Sequence, residues 1–190
     1  MNLRTLFSVL AFVMGLATAS EAALEVPSID GSLKKPFELN SAKAAVLIFY
    51  LHDCPICNTY APEIERIRAE YESKGFTFYI VQTDRDLKVE AAQKHATDYS
   101  LKATILLDGT NKLAAACGAK VTPQAAIVGA DKKVLYLGRI DDLYSDYGKR
   151  RSEPTSRDLR KALDAVAAGK TAPPATGPAV GCIIPTDIKH

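Results

Sequence analysis

Two cysteines separated by two residues, in the stretch Leu51-His52-Asp53-Cys54-Pro55-Ile56-Cys57, carry the most chemically specific pattern in this chain. They follow the apolar run Val46 to Tyr50 and open a segment with helical spacing that begins near Pro55. At the start of a helix the unpaired backbone N–H groups and the helix dipole favour a negative charge, and the thiolate is the nucleophilic form of cysteine. Lowering a thiol pKa by one to two units from about 8.5 takes only ~1.4–2.7 kcal/mol of preferential thiolate stabilisation, much of which such a helix start can supply. The chemistry that fits is redox chemistry at a thiol pair. Two other readings compete with it: a purely structural disulfide, and half of a metal site. Zinc needs two more ligands, and the chain has neither a second paired-cysteine motif nor a His-x-x-x-His spacing. His52 and His95 keep a copper-carrying, non-enzymatic reading in view.

The elements needed to position such a pair are legible around it. Ala44 to Tyr50 is apolar and uncharged, the pattern of a strand buried on both faces. Ile56, Tyr60, Ile64, Ile67 and Tyr71 recur at spacings of three and four, which predicts an amphipathic helix of about five turns closed by Gly75. Pro55 suits the first turn of that helix, and Pro62 falls inside it. Phe76 to Gln82 reads as a second buried strand, giving a strand-helix-strand unit with the thiols at its first junction. Upstream, Ala23 to Ser41 suggests a hairpin or edge strand turning at Asp30-Gly31.

Downstream, Asp86 to Tyr99 predicts a surface helix and Ala103 to Leu107 a third strand. Asn111 is positioned to cap a short helix running to Cys117 and ended by Gly118. Gln124 to Val128 and Lys133 to Leu137, joined at Gly129-Ala130-Asp131, predict a hairpin. Residues 139–151 form a long, polar, Tyr-rich connection that reads more readily as solvated than as a docking surface, with Arg139 an expected ion-pair partner of Asp141 or Asp142. Thr155 and Asp158 make a capping-box-like start for a last helix whose Leu159, Leu163 and Val166 face the core. From Gly169 onward the composition turns to Pro, Ala, Thr and Gly, predicting a flexible tail, residues 169–190, that contains Cys182.

Composition bounds the function classes. The 190 residues are 47% hydrophobic and 24% charged with a formal net charge of +2, enough for one domain over residues 23–168. Lys and Arg are interspersed with acids, so no nucleic-acid or membrane-surface stripe is present. Arg4, the apolar run Leu6 to Leu16 and the small residues Ala17-Thr18-Ala19 predict a signal peptide over residues 1–22, cut after Ala19 or Ala22. The mature chain would then be periplasmic or secreted, with no membrane span, where disulfides persist.

With Cys54-Pro55-Ile56-Cys57, Pro62 five residues after the second cysteine, and Thr122-Pro123 just before the terminal hairpin, the chain resembles the thioredoxin-like superfamily. In particular it is similar to secreted bacterial redoxins related to the alkyl hydroperoxide reductase and thiol-specific antioxidant group, over about Ala23 to Ala168. The resemblance implies an α/β fold with a central mixed sheet flanked by helices, an N-terminal extension and an irregular C-terminal tail. It implies a cis bond before Pro123, facing the cysteine pair and forming with Thr122 a platform for substrate backbone. It also implies thiol-disulfide exchange, with Cys54 as nucleophile, Cys57 as the resolving thiol, protein thiols or disulfides and a further redox protein as partners, and no cofactor.

The chain departs from the thioredoxin pattern in having no Trp, in placing Asp53 before the first cysteine, and in holding Ile48 where a buried acid is expected. Asp53 would raise the Cys54 pKa unless it faces solvent, and a protonated His52 would lower it. Peroxiredoxins place Pro and Thr seven and three residues before their reactive cysteine; here those places hold Leu47 and Leu51, so a peroxidase is the alternative rather than the first reading. Cys117 and Cys182 stay open. They would pair as a structural disulfide enclosing residues 118–181, worth ~4 kcal/mol in the chain-entropy model, which is the preferred reading. Otherwise Cys182 is a third redox thiol on a flexible arm and Cys117 a small buried residue.

Overall fold

The computed structural model describes residues 24–185. The predicted signal peptide, residues 1–22, lies outside the described residues. No helix among the described residues is long and apolar enough to cross a membrane.

The chain opens with a short antiparallel hairpin, β1 (Val26–Pro27) and β2 (Leu33–Lys34), turning through Asp30-Gly31 as expected. β3 (Ala44–Tyr50) then enters the core with every residue buried. Its two-sided burial explains the uninterrupted apolar run: Ala44, Val46, Ile48 and Tyr50 face one apolar cluster, and Ala45, Leu47 and Phe49 the other. Helix α1 (Pro55–Glu72) follows, starting on Pro55 and continuing through Pro62 for the five predicted turns. Its Ile56, Cys57, Tyr60, Ala61, Ile64, Ile67 and Tyr71 are buried against the first of those clusters.

β4 (Phe76–Gln82) pairs parallel with β3, and after α2 (Val89–Asp98), β5 (Thr104–Leu107) pairs parallel with β4. Helix α3 (Lys112–Cys117) leads to the two-residue β6 (Val121–Thr122), and β7 (Gln124–Gly129) and β8 (Val134–Gly138) return antiparallel to β3 and to each other. The central sheet therefore runs β5-β4-β3-β7-β8, with β3 in the middle. A small hairpin, β9 (Tyr144–Asp146) and β10 (Lys149–Arg150), precedes α4 (Asp158–Ala167). The last element, β11 (Cys182–Ile183), pairs antiparallel with β6.

Several local expectations differ from what the chain builds. Asn111 does not cap α3 with its side chain; it stands at φ +55° and donates its Nδ2 to the carbonyl of Pro185. Asp108 takes over the cap, accepting from the backbone N–H groups of Leu113 and Ala114 at 3.0 and 3.1 Å. Thr155 likewise does not cap α4. Its N–H and hydroxyl both go to Asp142, while Asp158 turns to the tail. Arg139 pairs with Asp158 at 2.8 Å rather than with Asp141 or Asp142.

The long connection 139–151 is tied to the domain more firmly than its polarity suggests. Ile140, Asp141 and Asp142 are buried, Tyr60 donates to Asp141 Oδ1 at 2.6 Å, and Tyr144 donates to Thr59 at 3.2 Å. The tail is irregular, as expected, yet residues 169–185 lie along the domain. Asp158 accepts from the N–H and hydroxyl of Thr176 at 2.8 and 2.7 Å, the Ile184 N–H donates to the carbonyl of Lys120, and Ile184 is buried. Composition missed this because the tail docks by backbone pairing and by one buried carboxylate, neither of which needs an apolar stripe.

Candidate thiol redox site

Cys54 is the residue just before the first turn of α1, with extended backbone at φ −78° and ψ 115°. Pro55 occupies the first helical position, where its missing N–H leaves no donor unsatisfied. The next free N–H groups, those of Ile56 and Cys57, are directed at the Cys54 sulfur. The Cys57 thiol, one turn on and fully buried, donates to the same sulfur. Across from the helix start, the Thr122–Pro123 peptide bond is cis, and the Thr122 carbonyl oxygen lies 3.7 Å from Cys54 Sγ. The structure thus brings Cys54, Cys57, Thr122 and Pro123 into one site, as the resemblance implies.

It adds a third thiol. Cys182 sits opposite Thr122 in the β11–β6 pair, and its Sγ lies 2.6 Å from Cys54 Sγ, in direct contact with it. Cys117 is not its partner. That thiol is buried on α3 in the cluster on the other face of the sheet, packed with Leu113 and Ala119, and burial pushes its pKa up to about 12. All four cysteines are free thiols. The preferred expectation of a Cys117–Cys182 tether is therefore corrected: β11 pairs with β6 at the helix-α1 side of the sheet, which carries Cys182 to Cys54 and away from Cys117.

The three converging thiols are electrostatically unequal. Donation from Cys57 does most to pull the Cys54 pKa down; burial opposes it, and donation from Cys182 and from the Cys57 and Ile56 N–H groups adds to the lowering, to about 5. Cys57 goes the other way, well above the ordinary thiol range, because it is desolvated and its proton is held by Cys54. Cys182 is pushed up to about 12, by burial first and then by its bond to Cys54. One proton-poor sulfur flanked by two proton-holding thiols is the arrangement that makes a selective nucleophile.

The modulators expected from sequence are placed less centrally. Asp53 is exposed, so its charge is screened by solvent. His52 turns its Nδ1 to Asp84 Oδ2 at 3.0 Å, not to Cys54. Ile48 lies fully buried on the face of β3 that packs against α1. Leu47 is buried on the opposite face.

Sequence reasoning missed a polar cluster behind the helix start. Asn58 donates Nδ2 to the carbonyl of His52 at 3.1 Å, and its Oδ1 accepts from the Tyr50 hydroxyl at 2.9 Å and meets His95 Nε2 at 2.9 Å. Burial lowers the His95 pKa, so its imidazole is neutral near neutral pH. This cluster fixes the loop 51–54 from behind. The only sequence signal for it was Asn58 at one turn from Cys54, a spacing without meaning until the loop carbonyls are located.

The chain matches the Redoxin family over residues 21–149. It is a member of the Redoxin family, and so a thiol-based redox protein. No curated protein matches this redoxin. Among solved structures, a hypothetical protein, SMc02350, from Sinorhizobium meliloti 1021 shares 22% identity over 87% of this redoxin and 91% of that chain, with a TM-score of 0.75. An uncharacterized conserved protein from Geobacillus kaustophilus shares 24% over 88% and 92%, with a TM-score of 0.74. The dsbF protein of MTB, solved in its mixed oxidized and reduced forms, shares 27% over 59% of this redoxin and 81% of that chain, with a TM-score of 0.51. Thioredoxin-like topology is common to all of these and to the sheet order described above.

Proposed function

We propose that this redoxin is a thiol-disulfide oxidoreductase that exchanges disulfides with extracytoplasmic protein substrates through Cys54 and Cys57. The observation that carries the reading is the placement of the Cys54 sulfur at the start of α1, one turn before Cys57 and 3.7 Å from the carbonyl of Thr122 at the cis Thr122–Pro123 bond, where donation from Cys57 favours the thiolate. Cys54 thiolate attacks one sulfur of a substrate disulfide; the Cys54–substrate bond forms, the substrate bond breaks, and the leaving sulfur departs as a thiolate that takes up a proton. Cys57 then gives up its proton and attacks Cys54 Sγ; the Cys54–Cys57 bond forms, the Cys54–substrate bond breaks, and the second substrate sulfur leaves as a thiolate that takes up a proton. The substrate disulfide gains two electrons and the Cys54/Cys57 pair loses them; with the pair oxidised at the start, the same steps run in reverse. Asn58, His95 and Tyr50 hold the loop in place and move no proton in these steps.

The predicted signal peptide supports the extracytoplasmic setting, where protein disulfides are available as substrates. The peroxidase alternative finds less support. Leu47 and Leu51 stand where peroxide-positioning groups would be, and the Arg139 guanidinium is engaged by Asp158 and Thr176. The metal-carrying alternative also finds less, since no group of three or more His, Cys, Asp or Glu among the described residues is arranged to hold a metal ion.

A trapping experiment tests the exchange reading. Replacing Cys57 and Cys182 together by Ser leaves Cys54 with no internal thiol to resolve a mixed disulfide. Incubated with a periplasmic extract under oxidising conditions, this variant is expected to accumulate Cys54-linked substrate proteins that dissociate on reduction. Absence of any such adduct, with hydroperoxide instead consumed through a Cys54 sulfenate, contradicts exchange and favours the peroxidase.

A further inference from the structure

Cys54, the nucleophile of the reading above, is only 1% exposed. What closes it in is the chain's own tail. β11 lies antiparallel on β6, with Cys182 opposite Thr122 and Ile183 opposite Val121. The Thr122 hydroxyl donates to the carbonyl of Cys182 at 3.4 Å, and the Ile184 N–H donates to the carbonyl of Lys120 at 2.9 Å. At Gly181 the approach is so close that a Cβ would stand 1.9 Å from the Thr122 carbonyl oxygen, so only glycine fits there. The result is an extended segment, Val180-Gly181-Cys182-Ile183-Ile184, that presents one sulfur 2.6 Å from the reactive one. A docked substrate cysteine would sit in the same way.

We propose that this tail segment, through Cys182, is a built-in substrate of the Cys54–Cys57 centre, and that an external segment taking its place is preferred with glycine before its cysteine. The proposal rests on the exchange reading. In the internal step, Cys182 gives up its proton and attacks Cys54 Sγ of the Cys54–Cys57 disulfide. The Cys54–Cys182 bond forms, the Cys54–Cys57 bond breaks, and Cys57 leaves as a thiolate that takes up a proton. One disulfide is exchanged for another, with no oxidant or reductant consumed. The bond then fastens the tail over the peptide edge, so the centre is closed to external substrate until a thiol reopens it.

Disulfide mapping tests this on the full mature chain. The reduced protein is treated with one equivalent of oxidised glutathione, quenched in acid, alkylated and digested. Both Cys54–Cys57 and Cys54–Cys182 bonds are expected, with Cys54–Cys182 predominating in Cys57→Ser and lost in Gly181→Val, whose side chain cannot enter the cleft. Formation of Cys54–Cys57 in the wild type without any Cys54–Cys182 bond there or in Cys57→Ser overturns the internal-substrate proposal and leaves the exchange reading standing. Failure of Cys54 to form any disulfide overturns both.

A second readout uses the disulfide-linked dimer of a peptide with the sequence of residues 179–185 as probe. If the open state is about 10% populated, displacing the tail lowers KM about tenfold, so Gly181→Val is expected to reduce this peptide with a KM about tenfold below wild type. The same peptide with Val in place of its Gly is expected to be the poorer substrate. Equal KM values for the two proteins and for the two peptides overturn the shared-edge assignment.

Discussion

Cys54 and Cys57 differ in what each does with a proton, and that difference comes first from the bond between the two thiols and the deeper burial of Cys57, with the backbone N–H groups at the helix start adding to it. Cys54 stands where N–H groups converge, whereas Cys57 stands inside the helix with its thiol desolvated. Because Cys57 is the largest contributor to the lowered Cys54 pKa, Cys57→Ala should raise it. The sign follows from losing a donor to the anion, which costs the thiolate and not the thiol. Iodoacetamide alkylation of Cys54 against pH should show this as a midpoint shifted upward from about 5 toward the ordinary thiol range. An unmoved midpoint would mean that the helix start and Cys182 set the pKa without Cys57. At this scale the sequence was informative about placement, since the cysteine spacing and the resemblance together pointed to Cys54, Cys57, Thr122 and Pro123, which the fold brings side by side. It did not reveal that Asn58 meets His95, which α2 brings over the loop after β3, or that His52 meets Asp84 from the loop after β4.

At the scale of elements, the tail is the part whose behaviour composition misjudged. Its Pro, Ala and Gly residues have no apolar stripe, but Thr176 satisfies the buried Asp158 carboxylate together with Arg139, and β11 completes β6. Burial works to raise the Asp158 pKa, and the bonds from Thr176 and Arg139 more than reverse it. Thr176→Val removes one donor to that buried carboxylate and is expected to cost about 1–3 kcal/mol locally. Hydrogen exchange should accelerate over residues 170–185 and Cys54 should alkylate faster, while α1 and the central sheet keep their protection. Protection lost equally throughout would show that the tail is part of one cooperative unit with the sheet. The central strands and α1 were legible from hydrophobic periodicity because each buries a continuous face. The caps of α3 and α4 were not, since Asn111, Thr155 and Asp158 each bond elsewhere in the fold and Asp108 caps α3 instead.

For the whole molecule, the redox state should change how stability depends on pH. In the reduced protein the folded Cys54 pKa, about 5, lies below its unfolded value of about 8.5. A depressed folded pKa contributes stability that is fully present above the unfolded pKa and is lost as pH falls through the folded one. With Cys54 in a disulfide that contribution is absent. The thermal midpoint of the reduced protein relative to the oxidised one should therefore rise as pH is raised from 5 to 8.5; a flat or falling difference would contradict a buried thiolate. Cys57, Cys182 and Cys117, all shifted upward, remain protonated in the fold across that window and oppose the trend only above it. Stabilising the reduced form also makes the disulfide form the better oxidant.

The most direct test of the account is accordingly the reduction potential of the Cys54/Cys57 couple, measured against glutathione in the full mature chain carrying Cys182→Ser so that a single disulfide is reported. With Cys182 in place the Cys54 pKa of about 5 falls between those of thioredoxin, about 7, and DsbA, about 3.5, and losing the Cys182 donor shifts it upward, toward the thioredoxin side. The potential is expected between theirs, above about −270 mV and below about −120 mV. A value at or below about −270 mV would contradict a thiolate stabilised at the start of α1.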